Sequence, residues 1–155
     1  MIYSNFKLGF ILPFIQTGYD RSFHTLDIII TDHSPKNLEE KFENHFLYQT
    51  EDYSLMCEET RIPWLQIIPN QALNEKYVAT LYGEIYRLAE HLKEKGLGPH
   101  YNVAKIGNKL PYYHIHLVFR KVDDDVWPEP IWGEDLIPDN RQKAQFLSLL
   151  NDFYG

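Results

Sequence analysis

The sequence predicts an α+β fold: a largely antiparallel sheet of about five strands, a long helix packed on one face, and a C-terminal helix. Three observations predict it. Short β-branched and aromatic runs cluster without the strand–helix–strand rhythm of a parallel sheet. One long segment, 74–95, carries an apolar stripe at helical spacing. A second amphipathic segment follows Pro138.

Taken in order, Leu26 to Thr31 is β-branched and reads as a strand. Ser34-Pro35 opens a short helix: serine can cap, proline suits the first helical position, and Leu38 and Phe42 follow four residues apart. Strand candidates come next at His45–Gln49, Tyr53–Cys57 and Trp64–Ile68, the last between Pro63 and Pro69. The long helix aligns Val78, Leu81, Ile85, Leu88, Ala89 and Leu92, with Asn74 as its cap and Gly96 and Gly98 as its stop. Strands near Tyr101–Lys105 and Tyr112–Arg120 flank the turn Gly107-Asn108-Lys109-Leu110-Pro111. A coil rich in Trp and Pro spans 126–133. The last helix is expected to use Asp139 as its cap and Gln142 as the residue reaching back, with Phe146, Leu149, Leu150 and Phe153 buried.

Composition bounds the function. A chain of 155 residues is one domain by size. Its 15 basic and 22 acidic residues give a net charge of −7, a poor balance for polymeric nucleic acid. A small phosphorylated ligand needs only a local cluster of donors and stays open. Cys57 is the single cysteine, so no intrachain disulfide forms, as fits a reducing cytoplasm. The apolar run Leu8 to Ile15 is too short to span a membrane and reads as part of a structured N-terminal extension.

Strand 112–120 carries the chemistry. Side chains alternate across a strand, so Tyr112, His114, His116 and Val118 share one face and Tyr113, Ile115, Leu117 and Phe119 the other. The second face is apolar and asks for the 74–95 helix as cover. The first presents two imidazoles, roughly 6–7 Å apart, to a cleft. Alone, the pair admits three readings: buried structural histidines, ligands of a metal lacking a close third partner, or nucleophilic catalysis in which an imidazole attacks phosphorus. Arg120 shares the histidine face but lies six residues from His114, about 20 Å along a strand, too far for one phosphate. Asp123 to Asp125 reads as a solvated turn, and Trp127 and Trp132 as anchors of the tail.

The surrounding residues resemble the histidine triad (HIT) family. Asn102, then Gly107-Asn108, then Tyr112-Tyr113-His114-Ile115-His116 are similar to its asparagine, glycine-containing turn with an amide, and alternating histidines. Trp127-Pro-Glu-Pro-Ile-Trp132-Gly133 looks like the W-P-x-P-x-W-G tail of a bacterial branch. Arg61-Ile-Pro63-Trp64-Leu-Gln-Ile-Ile-Pro69 is similar to that branch's proline-Trp strand. The resemblance covers about residues 37–135, which sets a HIT-like domain, 37–155 with its helical tail, apart from an N-terminal extension, 1–36.

The resemblance implies a nucleotide hydrolase or nucleotidyl transferase. Its substrate would be a nucleoside phosphoramidate or dinucleoside polyphosphate, attacked at the α-phosphate, with a purine nucleotide or dinucleotide as partner. His114 matches the family's nucleophile and His116 the histidine that binds phosphate and leaving group. Asn102, Gly107, Asn108 and Lys109 fall at phosphate-site positions, Tyr112 at a further substrate-binding position, and Glu59 near the acidic residue that holds ribose. The same resemblance implies no metal in the chemical step and a homodimer; no cofactor is expected, and the single cysteine fits a cytoplasmic protein. Three positions depart from the pattern: Tyr112 replaces the first histidine, Trp64 an additional histidine, and Lys109 a hydroxyl residue. They keep a second function open, a nucleotide-binding module with little or no turnover.

Overall fold

The structure, a computed structural model, describes residues 27–155. The apolar run Leu8 to Ile15 lies outside the described residues. Eight elements follow in order: α1 (Pro35–Phe42), β1 (His45–Gln49), β2 (Tyr53–Cys57), β3 (Trp64–Pro69), α2 (Glu75–Glu94), β4 (His100–Ala104), β5 (Ile115–Arg120) and α3 (Arg141–Tyr154). The strands form one sheet in the order β1-β2-β3-β5-β4, and every neighbouring pair is antiparallel. This is the α+β architecture expected.

The helical face of the sheet holds the main core. Tyr113, Ile115, Leu117 and Phe119 point to it, as the alternation along 112–120 requires. They meet Tyr77, Leu81, Ile85, Leu88, Ala89 and Leu92 of α2 and Phe146 and Leu150 of α3. Burying each of these Leu, Ile or Phe side chains contributes about 1.5–3 kcal/mol. Asn74 caps α2 through its side chain, which accepts the Tyr77 N–H at 3.0 Å. Gly96, at φ +88°, takes the left-handed turn after α2. At Gly98 a Cβ would stand 2.9 Å from the Arg120 carbonyl oxygen, so only glycine lets the chain pass that close to β5.

Among the described residues, the opposite face is covered only at its ends. On one side Ile30 and α1, through Leu38 and Phe42, pack on Met56 and Ile68. On the other, Ile62 and Ile131 pack on Val118, with Trp64 and Trp132 beside them. The histidines of β5 fall in the gap between these two clusters.

Several local expectations change. The expected strand over Leu26 to Thr31 makes only an isolated parallel bridge, Ile28 to Tyr112, and Leu26 itself lies outside the described residues. Of the described residues in that run only Ile30 is buried, at 6% exposure, whereas Ile28 is 47% exposed. His33 is buried as well, paired with Ser54 Oγ at 2.7 Å and the Ile30 carbonyl at 3.0 Å. Ser34 precedes α1 but makes no side-chain cap, and its own N–H donates to Asp32. At α3, Asp139 accepts the Arg141 N–H at 2.8 Å, whereas Gln142 turns away and donates to the Arg61 carbonyl at 2.9 Å. Among the described residues no helix is long and apolar enough to cross a membrane.

Candidate active site

The site is built around β5 and the two residues before it. His116 pairs across the sheet with Gln66 of β3 and Ala104 of β4, so it sits in the middle of the sheet with a strand on each side. His114 precedes the first ladder residue, where Tyr113 N–H is held by the Ile28 carbonyl at 2.9 Å. Both rings are buried, at 4% and 5% exposure. Their centroids lie 4.7 Å apart and their planes cross at 83°. The rings therefore approach more closely than alternate residues on a strand, because His114 leans toward His116 edge to face.

The hydrogen bonds fix where each proton sits. His114 Nδ1 lies 2.6 Å from the Tyr112 carbonyl oxygen, which can only accept. Nδ1 therefore carries the hydrogen and Nε2 keeps the free lone pair. His116 has the reverse arrangement. Trp64 Nε1–H, which can only donate, points at His116 Nδ1 from 2.9 Å. Nδ1 of His116 is thus the acceptor, and its hydrogen is on Nε2.

Both imidazoles are neutral at pH 7. Burial pushes the His114 pKa below its ordinary value, partly opposed by its hydrogen bond to the Tyr112 backbone. Burial also lowers His116, to about 4, with His114 as the next cause, while the Ile106 backbone works against the shift.

The two histidines open onto a cavity of about 470 Å³. Trp64, Ile106, Leu110, Ile131, Trp132 and Leu136 give it mostly apolar walls. Polar groups enter at Glu58, Gln66, Asn108, Lys109 and Glu134. Trp64, Trp132 and His116 form an aromatic corner, with His116 5.4 Å from Trp64 and 5.7 Å from Trp132 between centroids. Apolar walls with a few convergent polar groups are what a small-molecule site requires.

The residues singled out from the sequence divide accordingly. His114, His116, Asn108 and Lys109 line the cavity together. Gly107 is exposed beside it, and a Cβ there would meet Lys105 Nζ at 3.4 Å and Asp27 at 3.5 Å. Lys105 itself is engaged by Asp27, at 2.5 Å, and lies over the Tyr113 ring. Tyr112 does not line the cavity. It packs against Phe42, 6.0 Å between centroids, under the Lys41 ammonium. Asn102 is placed farther along the same face, where its Oδ1 accepts from Arg120 at 3.2 Å. Arg120 is a buried structural group: it clamps Asp124 at 2.6 and 3.1 Å and donates to the Glu129 carbonyl. Glu59 is half exposed and pairs with His45 at 3.2 Å.

Glu58 is, with Glu134, an acidic residue on the cavity wall, and the sequence reading passed over it. Strand parity carries the signal. Tyr53, Leu55 and Cys57 of β2 belong to the helical-face core, so Ser54, Met56 and, continuing the count, Glu58 turn to the histidine face. Gln66 Nε2 donates to Glu58 Oε1 at 2.8 Å, and Asn44 donates to Gln66 Oε1 at 3.0 Å. Burial raises the Glu58 carboxyl above its ordinary pKa. The two tail tryptophans also part company: Trp132 lines the cavity, whereas Trp127 stacks on His100 under Arg120. Among the described residues, no three His, Cys, Asp or Glu side chains converge as metal ligands.

No protein-family model matches the chain, and no curated protein matches it. Solved structures do. A histidine triad protein from Bradyrhizobium japonicum is 27% identical, with a TM-score of 0.65 over 75% of this chain and 92% of its own. A second, from Marinobacter aquaeolei VT8, is 25% identical with a TM-score of 0.65, covering 76% of this chain and 91% of its own. A third, from Sinorhizobium meliloti 1021, shares the fold at 21% identity and a TM-score of 0.64, over 84% and 98%. The chain has the histidine triad fold. It is similar to these bacterial histidine triad proteins.

Proposed function

We propose that the protein is a nucleotide hydrolase or nucleotidyl transferase that works through a covalent nucleotidyl-His114. One observation carries this reading: His114 is neutral, with Nδ1–H tied to the Tyr112 carbonyl and Nε2 left as a nucleophile on the cavity wall. In the first step the Nε2 lone pair forms a bond to the α-phosphorus of a nucleoside phosphoramidate or dinucleoside polyphosphate. The bond from phosphorus to the leaving nitrogen or oxygen breaks. The leaving group keeps the electron pair and takes a proton from water. His116 Nε2–H hydrogen-bonds to the leaving atom or a phosphate oxygen. In the second step water attacks phosphorus, the P–Nε2 pair returns to His114, and a nucleoside monophosphate is released.

Asn108 and Lys109 serve the phosphate on this reading, and Glu58 accepts from the sugar hydroxyls. A homodimer belongs to the same proposal. β4 is an edge strand, and Val103, Tyr82 and Tyr86 beside it are exposed. The test is turnover of adenosine 5′-phosphoramidate by wild type and His114→Ala. Loss of turnover in the variant supports the reading, and equal rates refute it.

The second reading, a nucleotide-binding module with little turnover, is favoured by Tyr112. The side chain at the first triad position packs on Phe42 and does not line the cavity. Calorimetric binding of AMP without sustained product release from any dinucleotide would select it.

A further inference from the structure

We infer that Trp64 is a positioning residue: its indole N–H holds His116 in the Nε2–H tautomer, and so makes a neutral histidine a hydrogen-bond donor toward the leaving group. The inference rests on the proposed nucleotidyl-transfer reading for its catalytic consequence, but its structural core stands independently.

A neutral imidazole has one donor and one acceptor nitrogen, and free in solution it exchanges them. In this cavity the choice decides function. With the hydrogen on Nδ1, His116 would present a lone pair to a departing oxygen or nitrogen that is itself rich in electrons, and the contact would be repulsive. With the hydrogen on Nε2 it presents a donor. Protonating both nitrogens would also supply a donor, but the ring is buried against Trp64, Trp132 and His114, with the Ile106 backbone as a further polar neighbour and, among the described residues, no carboxylate bonded to it. The tautomer must therefore be set by a neighbour.

Trp64 is suited to this in three ways. Indole nitrogen can only donate, so the pairing has one direction. Trp64 is the first residue of β3 and pairs with Val118 of β5, two residues beyond His116, which fixes its ring over the histidine. Its own ring is braced by Trp132, 6.2 Å away and nearly perpendicular. On His114 a backbone carbonyl performs the complementary task, so the two rings are held in opposite tautomers, one nucleophile and one donor.

The experiment uses the full chain labelled with ¹⁵N at histidine, as wild type and Trp64→Phe. Phenylalanine keeps an aromatic ring and removes the N–H. Long-range ¹H–¹⁵N spectra report which nitrogen of His116 carries hydrogen. The His116 signals are assigned by their absence in His116→Gln. Wild type should show an unprotonated Nδ1 and a protonated Nε2; a protonated Nδ1 overturns the inference, whatever the variant does. In Trp64→Phe the two forms should mix. With adenosine 5′-phosphoramidate, kcat should fall about tenfold or more while KM stays within about threefold. An unchanged tautomer, or a changed tautomer with unchanged kcat, overturns it. If wild type itself shows no turnover, the nucleotidyl-transfer reading fails, and the spectra still decide whether Trp64 sets the tautomer.

Discussion

His114 and His116 stand edge to face at 4.7 Å, and each is hydrogen-bonded through Nδ1 to a partner of opposite polarity. The Tyr112 carbonyl accepts from one ring and the Trp64 indole donates to the other. Two chemically identical side chains thereby acquire different roles from backbone register and one aromatic neighbour.

The neutral state of His114 sets the pH dependence of turnover. Its folded pKa lies below the ordinary 6.5, so the lone pair is free at pH 7 and is lost as pH falls through that lowered value. The rate should be flat from about pH 7 to 8 and fall only in acid, below about pH 6.5. A pH profile of kcat/KM under steady-state conditions checks this; an acid limb centred above pH 7 contradicts it.

The same burial links stability to pH. His116 has a folded pKa of about 4 against 6.5 when unfolded. As pH falls the unfolded chain takes up the proton first. Stability is therefore intact above about pH 6.5 and declines toward about pH 4, by up to roughly 3 kcal/mol from this one group. Urea midpoints at pH 7 and pH 4.5 should show the decline, and His116→Asn should shrink it. Equal declines in both proteins would show that other groups control the acid transition.

Glu58 and Glu59 show what was legible in the sequence and what was not. The fold was readable because apolar alternation on 112–120 and the stripe on 74–95 both pointed to one buried interface, and Leu88, Leu92, Leu117 and Phe119 meet there. The histidine pair was readable for the same reason: period two placed both rings on the face opposite that interface. The acidic residue was harder. Residues 58 and 59 follow the strand, and choosing between them needs the parity of β2 carried one residue past its end. Trp64 read as a departure from a family pattern, because a side-chain hydrogen bond across 52 residues leaves no trace in local spacing. Tyr112 read as a site residue, because nothing local reveals that Phe42 and Lys41 draw its ring away.

Glu58 should be separable by charge. Its carboxyl is half-buried and desolvation raises its pKa, so the ionised form is held at a cost. Glu58→Gln keeps an oxygen for the Gln66 amide and removes the charge. The variant should be as stable as wild type or more stable by about 1 kcal/mol. It should bind AMP more weakly if the carboxylate receives sugar hydroxyls. Urea unfolding and calorimetry measure the two effects, and a marked loss of stability contradicts the assignment.

Arg120 and Asp124 should behave as structure alone. Their side chains are 2% and 8% exposed and their contact is two-pronged. Removing one partner strands the other charge, which costs about 3–5 kcal/mol. Asp124→Ala should therefore lower the unfolding free energy by about that amount, while KM for a nucleotide substrate stays within about threefold at a temperature where the variant is folded. A variant of unchanged stability would show that the pair does not hold the tail.

The proposed reaction turns on His114 as the nucleophile. Wild type and His114→Ala are mixed for one turnover with an adenosine 5′-phosphoramidate carrying a labelled α-phosphate, and the reaction is quenched in base, because the P–N bond to histidine is labile in acid. Peptide mass spectrometry then locates the label. A nucleotidyl group should appear on His114 in wild type and on no peptide of the variant, with turnover reduced at least about a thousandfold. A labelled peptide lacking His114, or a variant that turns over as fast as wild type, would contradict it.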